Sequence, residues 1–183
     1  MDQKSPQVVM EAADVHKTLV RIAAEIVQQS EDRDRLVLIG IHTGGVHLAK
    51  RLQNIINKHF YLNPPVGILD ITLYRDDWTR LHTQPLVRPT ELPFRIDEQE
   101  VILVDDVLFT GRTIRAALDA IIDYGRPRRI LVAVLVDRGH RELPICGQFI
   151  GINQKTLPHE QVNVHLVETD GYDQVVVEVP AHS

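Results

Sequence analysis

Apolar residues recur at helical spacing between Val8 and Gln29, with Val15, Leu19, Ile22, Ala23 and Ile26 on one face, so an amphipathic helix is expected there. Leu36–Ile41 is almost wholly apolar and short, as a strand covered on both faces should be. Gly44-Gly45 break that run, and Val46–His59 then reads as a second helix. Another strand covers roughly Val66–Ile71. From Thr72 to Ile96 the chain turns polar, prolines stand at 85, 89 and 93, and no period is sustained. A long loop of about 72–96, with a short hairpin inside it, is the expectation, and long loops in compact domains tend to carry function.

The central unit is the clearest. Val101–Val104 reads as a buried strand, and Ile114, Ala117, Leu118, Ile121 and Ile122 mark one helix face before Gly125. Ile130–Val136 is again wholly apolar. Strand, helix and strand within 36 residues make a βαβ crossover, which requires parallel strands and a right-handed connection. Val162–Glu168 and Gln174–Val179, around Asp170-Gly171, predict a C-terminal hairpin over about 162–179. The pattern as a whole describes one α/β domain, residues 1–183, with a mostly parallel sheet.

Composition narrows the class. At 44% hydrophobic and 25% charged, the 183 residues suit a globular domain with a sizeable core. The longest apolar run is seven residues against the roughly 20 that a membrane helix needs. The N-terminal segment has no signal-peptide pattern, and the lone Cys146 permits no intrachain disulfide, so a cytoplasmic location is expected. A net charge of −5 gives no global field for nucleic acid. The nine histidines show no metal-ligand spacing, and Cys146 reads as a packing residue.

The chemistry concentrates in Asp105-Asp106-Val107-Leu108-Phe109-Thr110-Gly111-Arg112-Thr113. In such a sheet, ligands sit beyond the carboxyl ends of the strands, where Asp105 and Asp106 fall. Adjacent carboxylates repel, yet each can accept hydrogen bonds from the vicinal hydroxyls of a ribose. Thr110–Thr113 then bring hydroxyls, a glycine and free N–H groups at a helix start, which together form a phosphate cradle. Acids for the sugar beside donors for its phosphate describe a phosphorylated ribose. A receiver domain also pairs acids after a strand, but from its first strand and without such a turn. A second glycine loop, Ile41-His42-Thr43-Gly44-Gly45, follows the first core strand and is another anion site at a helix start.

These segments resemble known ones. Residues 101–113 are similar to the 5-phosphoribosyl-1-pyrophosphate (PRPP) signature of type I phosphoribosyltransferases. With ILDITLYRDD at 68–77 and LVDRGHRELPI at 135–145, the chain resembles the PyrR family over nearly its whole length. That resemblance implies a type I phosphoribosyltransferase fold: a parallel core of four or five strands flanked by helices, a flexible lid and a small hood. It implies transfer of the ribose phosphate to uracil, giving UMP and pyrophosphate, with Mg²⁺ held mainly through PRPP rather than by protein ligands. It further implies a homo-oligomer, dimer or tetramer.

By the same resemblance, Asp105, Asp106 and the lid residue Arg75 carry catalysis, and Val107, Leu108, Thr110, Gly111, Arg112 and Thr113 hold the 5′-phosphate. Thr43, Gly44 and Gly45 meet the pyrophosphate, helped by Arg88 and Arg80 of the lid. Family members often carry arginine in the place of Gly44. Asp137 and Arg138, with backbone groups, read the base.

Many PyrR members also bind RNA and attenuate the pyrimidine operon. Candidate contacts are His16 and Arg141, within a scatter of basic residues that includes Lys17, Arg21, Arg126, Arg128, Arg129 and Lys155. Cys146 and Ile152 stand where members often carry Arg and Lys. A protein acting chiefly as an RNA-binding regulator, or a transferase for another nucleobase, are the competing functions.

Overall fold

The structure is a computed structural model and describes residues 6–76 and 86–180. Five parallel strands form the central sheet in the order β3-β2-β4-β5-β6. They are β2 (Leu36–Ile41), β3 (Val66–Leu69), β4 (Glu100–Leu108), β5 (Arg129–Asp137) and β6 (Phe149–Asn153). Alternation in β2 divides the core. Leu36 and Leu38 join the cluster beneath α1 (Ala12–Gln29) and α2 (Gly44–Phe60). Val37, Ile39 and Ile41 join the cluster beneath α3 (Arg112–Ile122). Both faces are therefore covered, which is why these strands read as unbroken apolar runs.

Beside this sheet, β1 (Gln7–Glu11), β8 (Gln174–Glu178) and β7 (Gln161–His165) form a small antiparallel sheet in the order β1-β8-β7. One helical turn, α4 (Val167–Asp170), lies between β7 and β8. Arg51 of α2 ties this unit to the core by ion pairs to Glu168 at 2.5 Å and Asp173 at 2.7 Å.

Several boundaries differ from the sequence expectation. The first helix begins at Ala12, not Val8, because Gln7–Glu11 are taken up as a strand against β8. β3 stops at Leu69, and Thr72–Tyr74 form a 3₁₀ turn. The loop from 72 to 96 is not polar throughout. Ile96 is buried, Leu92 and Phe94 pack on the core, and Glu91 bridges Ile68 in antiparallel fashion. Its hairpin expectation, and Asp77 and Arg80, lie outside the described residues. β4 extends to Leu108, so Asp105 and Asp106 sit within its last four residues rather than beyond it. α3 ends at Ile122, three residues ahead of Gly125. β6 had no separate expectation from the residue pattern.

Candidate active site

The chain passes from β2 to β3 on one side and then to β4 on the other. The crevice between β2 and β4 is thus a topological switch point, where open α/β sheets bind ligands. The loops after β2 and after β4 both open into it. A cavity of about 350 Å³ there is lined by His42, Thr43, Asp70, Arg75, Arg88, Asp105, Asp106 and Thr113. A neighbouring one of about 690 Å³ is lined by Arg75, Asp76, Phe109, Thr110, Arg112, Thr113 and Glu142. The two share Arg75 and Thr113.

Close packing brings the two loops together. A side chain on Gly45 would stand 3.1 Å from Asp105 Cα and nearer still to the Val104 carbonyl. One on Gly44 would stand 2.9 Å from Asp106 Cγ. The glycine pair therefore lets the helix start of α2 lie directly against the acids of β4. Thr43, the residue before α2, is exposed at the mouth of the smaller cavity.

The two acids differ. Asp105 is buried, and its Oδ1 accepts the Asp106 N–H at 2.9 Å. Burial first, then the charge of Asp106, holds its carboxyl well above the usual carboxylate range. Asp106 is only partly buried, and its Oδ1 accepts the Val107 N–H at 2.7 Å.

Gly111, at φ 92°, precedes α3 in the left-handed region, and its residue offers no side-chain cap. In the first helical turn the Arg112 N–H donates to Thr110 Oγ1 at 3.3 Å, and Thr110, Arg112 and Thr113 line the larger cavity. Arg112 is engaged by Asp76 at 2.5 Å and Glu142 at 2.6 Å. Leu108 turns its side chain into the core, so only its backbone could serve this loop, and its carbonyl accepts the Arg138 N–H at 3.0 Å.

Residues 137–143 are joined to the same loop, for Glu142 and Leu143 both donate to the Thr110 carbonyl. Asp137 accepts from the Gly139 N–H at 2.9 Å and from Arg141. Arg138 is buried. Its guanidinium lies 3.9 Å from the Phe109 ring centroid and donates to Thr156 Oγ1 and to the carbonyls of Leu157 and Glu160. Arg141 donates to the carbonyls of Ile145, Phe109 and Gly139 as well as to Asp137. Its guanidinium is thus committed within its own loop and across to the loop after β4. Cys146 is exposed rather than packed, because it lies in the irregular segment before β6.

The basic scatter does not converge on one place. Arg128 and Arg129 pair with Glu31 at the start of β5, whereas Arg141 follows its end, eight residues or about 26 Å along the strand at 3.3 Å each. His16 and Lys17 are exposed on α1. Asp70 was missed by sequence reasoning. It is a buried acid just past β3, and its one signal was an Asp closing an apolar strand.

The family described as phosphoribosyl transferase domain matches residues 11–168 of this chain. The Bifunctional protein PyrR of Syntrophobacter fumaroxidans is 65% identical over 183 residues, covering 100% of this chain and 98% of that protein. That of Thermus aquaticus is 53% identical over 166 residues, covering 91% and 92%. The fold is similar to the hypoxanthine phosphoribosyltransferase of Trypanosoma cruzi, with TM-score 0.71, 16% identity, and 96% and 97% coverage. A hypoxanthine-guanine phosphoribosyltransferase of Bacillus anthracis gives TM-score 0.69 at 16% identity, with 98% and 100% coverage. Those two likenesses speak for the architecture, and the far higher identity over full length speaks for the lineage: the chain belongs to the PyrR family of phosphoribosyltransferases.

Proposed function

We propose that this protein transfers the 5-phosphoribosyl group of PRPP to uracil, giving UMP and pyrophosphate, with the whole chain working as one unit. The observation that carries the reading is the run of β4 through Asp105 and Asp106 into the start of α3, where the N-cap is Gly111. It sets acceptors for ribose hydroxyls one turn from donors for a 5′-phosphate. Thr110, Gly111, Arg112 and Thr113, with the backbone of Val107 and Leu108, hold that phosphate. The backbone of Thr43, Gly44 and Gly45 meets the pyrophosphate from the other side of the crevice, with Arg75 and Arg88 supplying positive charge.

The bond from C1 to the pyrophosphate oxygen breaks as uracil N1 attacks, and no covalent nucleophile is needed. Catalysis consists of holding N1 behind C1 and stabilising the leaving charge. Among the described residues no three His, Cys, Asp or Glu side chains cluster to cage a metal. Mg²⁺ would arrive on PRPP oxygens and keep several waters, which Asp105 and Asp106 would hold. When bound, the ion would offset charge on the departing pyrophosphate. The base meets the edge formed by Asp137, Arg138 and Gly139, which Arg138 braces through Phe109. Incubation with PRPP, Mg²⁺ and each nucleobase in turn tests the reading: uracil should be converted and purines and orotate should not.

A second function, UMP-responsive binding of pyrimidine-leader RNA, is favoured by the word bifunctional in the relatives' names. The arrangement that supports it is α1 packed along the edge strand β6. Arg21 there donates to the carbonyls of Ile150 and Gly151, with His16 and Lys17 exposed on α1 and Lys155 exposed just past β6. Salt-dependent binding of a leader hairpin, with and without UMP, checks it.

A further inference from the structure

Asp70 is an acid that the transfer chemistry described above does not use, and only 8% of its surface is exposed. It stands directly after β3 in the wall of the smaller cavity. Its Oδ1 accepts the Thr72 N–H at 2.7 Å, and its Oδ2 accepts the Arg88 N–H. Its own N–H donates to Thr90 Oγ1 at 3.1 Å. One residue thereby knots together positions 70, 72, 88 and 90. Just outside that knot, Ile68 and Glu91 exchange two backbone hydrogen bonds of 2.8 Å.

A turn-forming aspartate at a strand end would account for the Thr72 contact alone. It would not account for the second oxygen reaching across 18 residues of chain to Arg88, nor for the bond to Thr90. A buried carboxylate is costly unless hydrogen bonds satisfy it, and two N–H donors do so here. Burial raises its pKa, but those bonds together with the nearby His42 bring it below the ordinary value, so the group is an anion at neutral pH. Among the described residues, the two arginines that line the cavity from this segment, Arg75 and Arg88, lie within three positions of a backbone N–H that Asp70 holds.

We propose that Asp70 is a positioning residue that fixes Arg75 and Arg88 toward the leaving group. It acts through the backbone and does not touch the substrate. This rests on the PRPP reading above, because a leaving pyrophosphate is what the two arginines would meet. The prediction is a selective one. Asp70→Asn keeps size and one acceptor but places an amide donor against an N–H donor. Loss of one such contact to a charged group should weaken PRPP binding by about tenfold or more. UMP has no pyrophosphate, so its affinity should change less than about twofold by the same arithmetic.

Calorimetry on the full chain with PRPP and with UMP reads both. Thr90→Val, which removes only the acceptor of the Asp70 N–H, should shift PRPP in the same direction by less. Arg88→Ala retains the backbone N–H, and combined with Asp70→Asn it should lose less than the sum of the two single losses. Equal losses for PRPP and UMP, or full additivity with Arg88→Ala, would overturn the proposal. Unchanged PRPP affinity in both Asp70→Asn and Thr90→Val would do the same. If Asp70→Asn does not fold, Thr90→Val and its combination with Arg88→Ala decide the matter by the same criteria. A native protein that binds no PRPP at all would overturn the functional reading and this inference with it. Native binding with unaltered variants would overturn this inference alone.

Discussion

Gly44 leaves the space into which the carboxylate of Asp106 extends, so the first glycine of one loop sets the position of an acid on the other. Its neighbour Gly45 faces backbone instead, at Val104 and Asp105. The pair should separate activity from stability. Gly44→Ala pushes on the movable end of a side chain, so the fold should survive while kcat/KM falls about a hundredfold through displacement of Asp106. Gly45→Ala pushes on a buried strand and should cost about 2–3 kcal/mol. Thermal melts beside steady-state assays of the two variants check the contrast. Equal melting losses would count against it.

Asp105 carries a functional cost. Its pKa is raised in the folded protein by burial and by Asp106, so its contribution to stability is fully present below the unfolded pKa and is lost as pH rises through the folded one. At neutral pH its ionised form therefore opposes folding. Asp105→Asn keeps the oxygen that accepts the Asp106 N–H and removes the charge. It should raise Tm by a few degrees near pH 8, raise it less near pH 5, and cut turnover by orders of magnitude. A variant that melts lower than the native protein at pH 8 would refute the burial account.

Gly111 adopts a left-handed φ of 92°, which a branched side chain resists by about 1–2 kcal/mol. The nearest atom a Cβ would meet is Ile145 Cβ at 3.3 Å, so backbone strain rather than collision dominates. Gly111→Val should twist the Thr110–Thr113 turn and abolish binding of both PRPP and UMP. Unchanged UMP affinity by calorimetry would place the 5′-phosphate elsewhere.

Arg141 looked from the sequence like an RNA contact, yet its guanidinium holds Asp137 and two carbonyls of its own loop, and the Phe109 carbonyl of the loop after β4. Arg141→Ala should loosen the base edge and raise the KM for uracil severalfold. The salt dependence of any RNA binding should not change. A slope shallower by about one phosphate contact would instead return Arg141 to the RNA face.

The parallel core was legible because its strands are apolar on both faces and its helices are amphipathic on one. Leu36–Ile41 and the α3 face of Ile114, Ala117 and Ile121 needed no partner to be recognised, whereas Ile122, expected on that face, is exposed. The Asp105–Thr113 loop was legible for a different reason, since its chemistry is contiguous in the chain. What stayed hidden depends on pairing across distance. Gln7–Glu11 alternate too weakly to announce a strand and become one only against β8. Asp70 looks like any strand-ending acid until Arg88 and Thr90 return beside it. Arg138 and Arg141 are loop cations in the sequence, and only the fold shows that one braces the Phe109 ring and the other holds the Phe109 carbonyl.

The small sheet has a consequence for how the protein is made. β8 is its middle strand, flanked by β1 from the first dozen residues and by β7. Gln7 lies opposite Val177, so this sheet cannot be completed until β8 has left the ribosome. The parallel core has all its strands by Asn153 and can assemble earlier. During that interval residues 7–11 wait without a partner, and the apolar surface that Met10 and Val175 later bury stays open. A newly synthesised chain is thus most exposed to aggregation at a moment when its nucleotide crevice is already built.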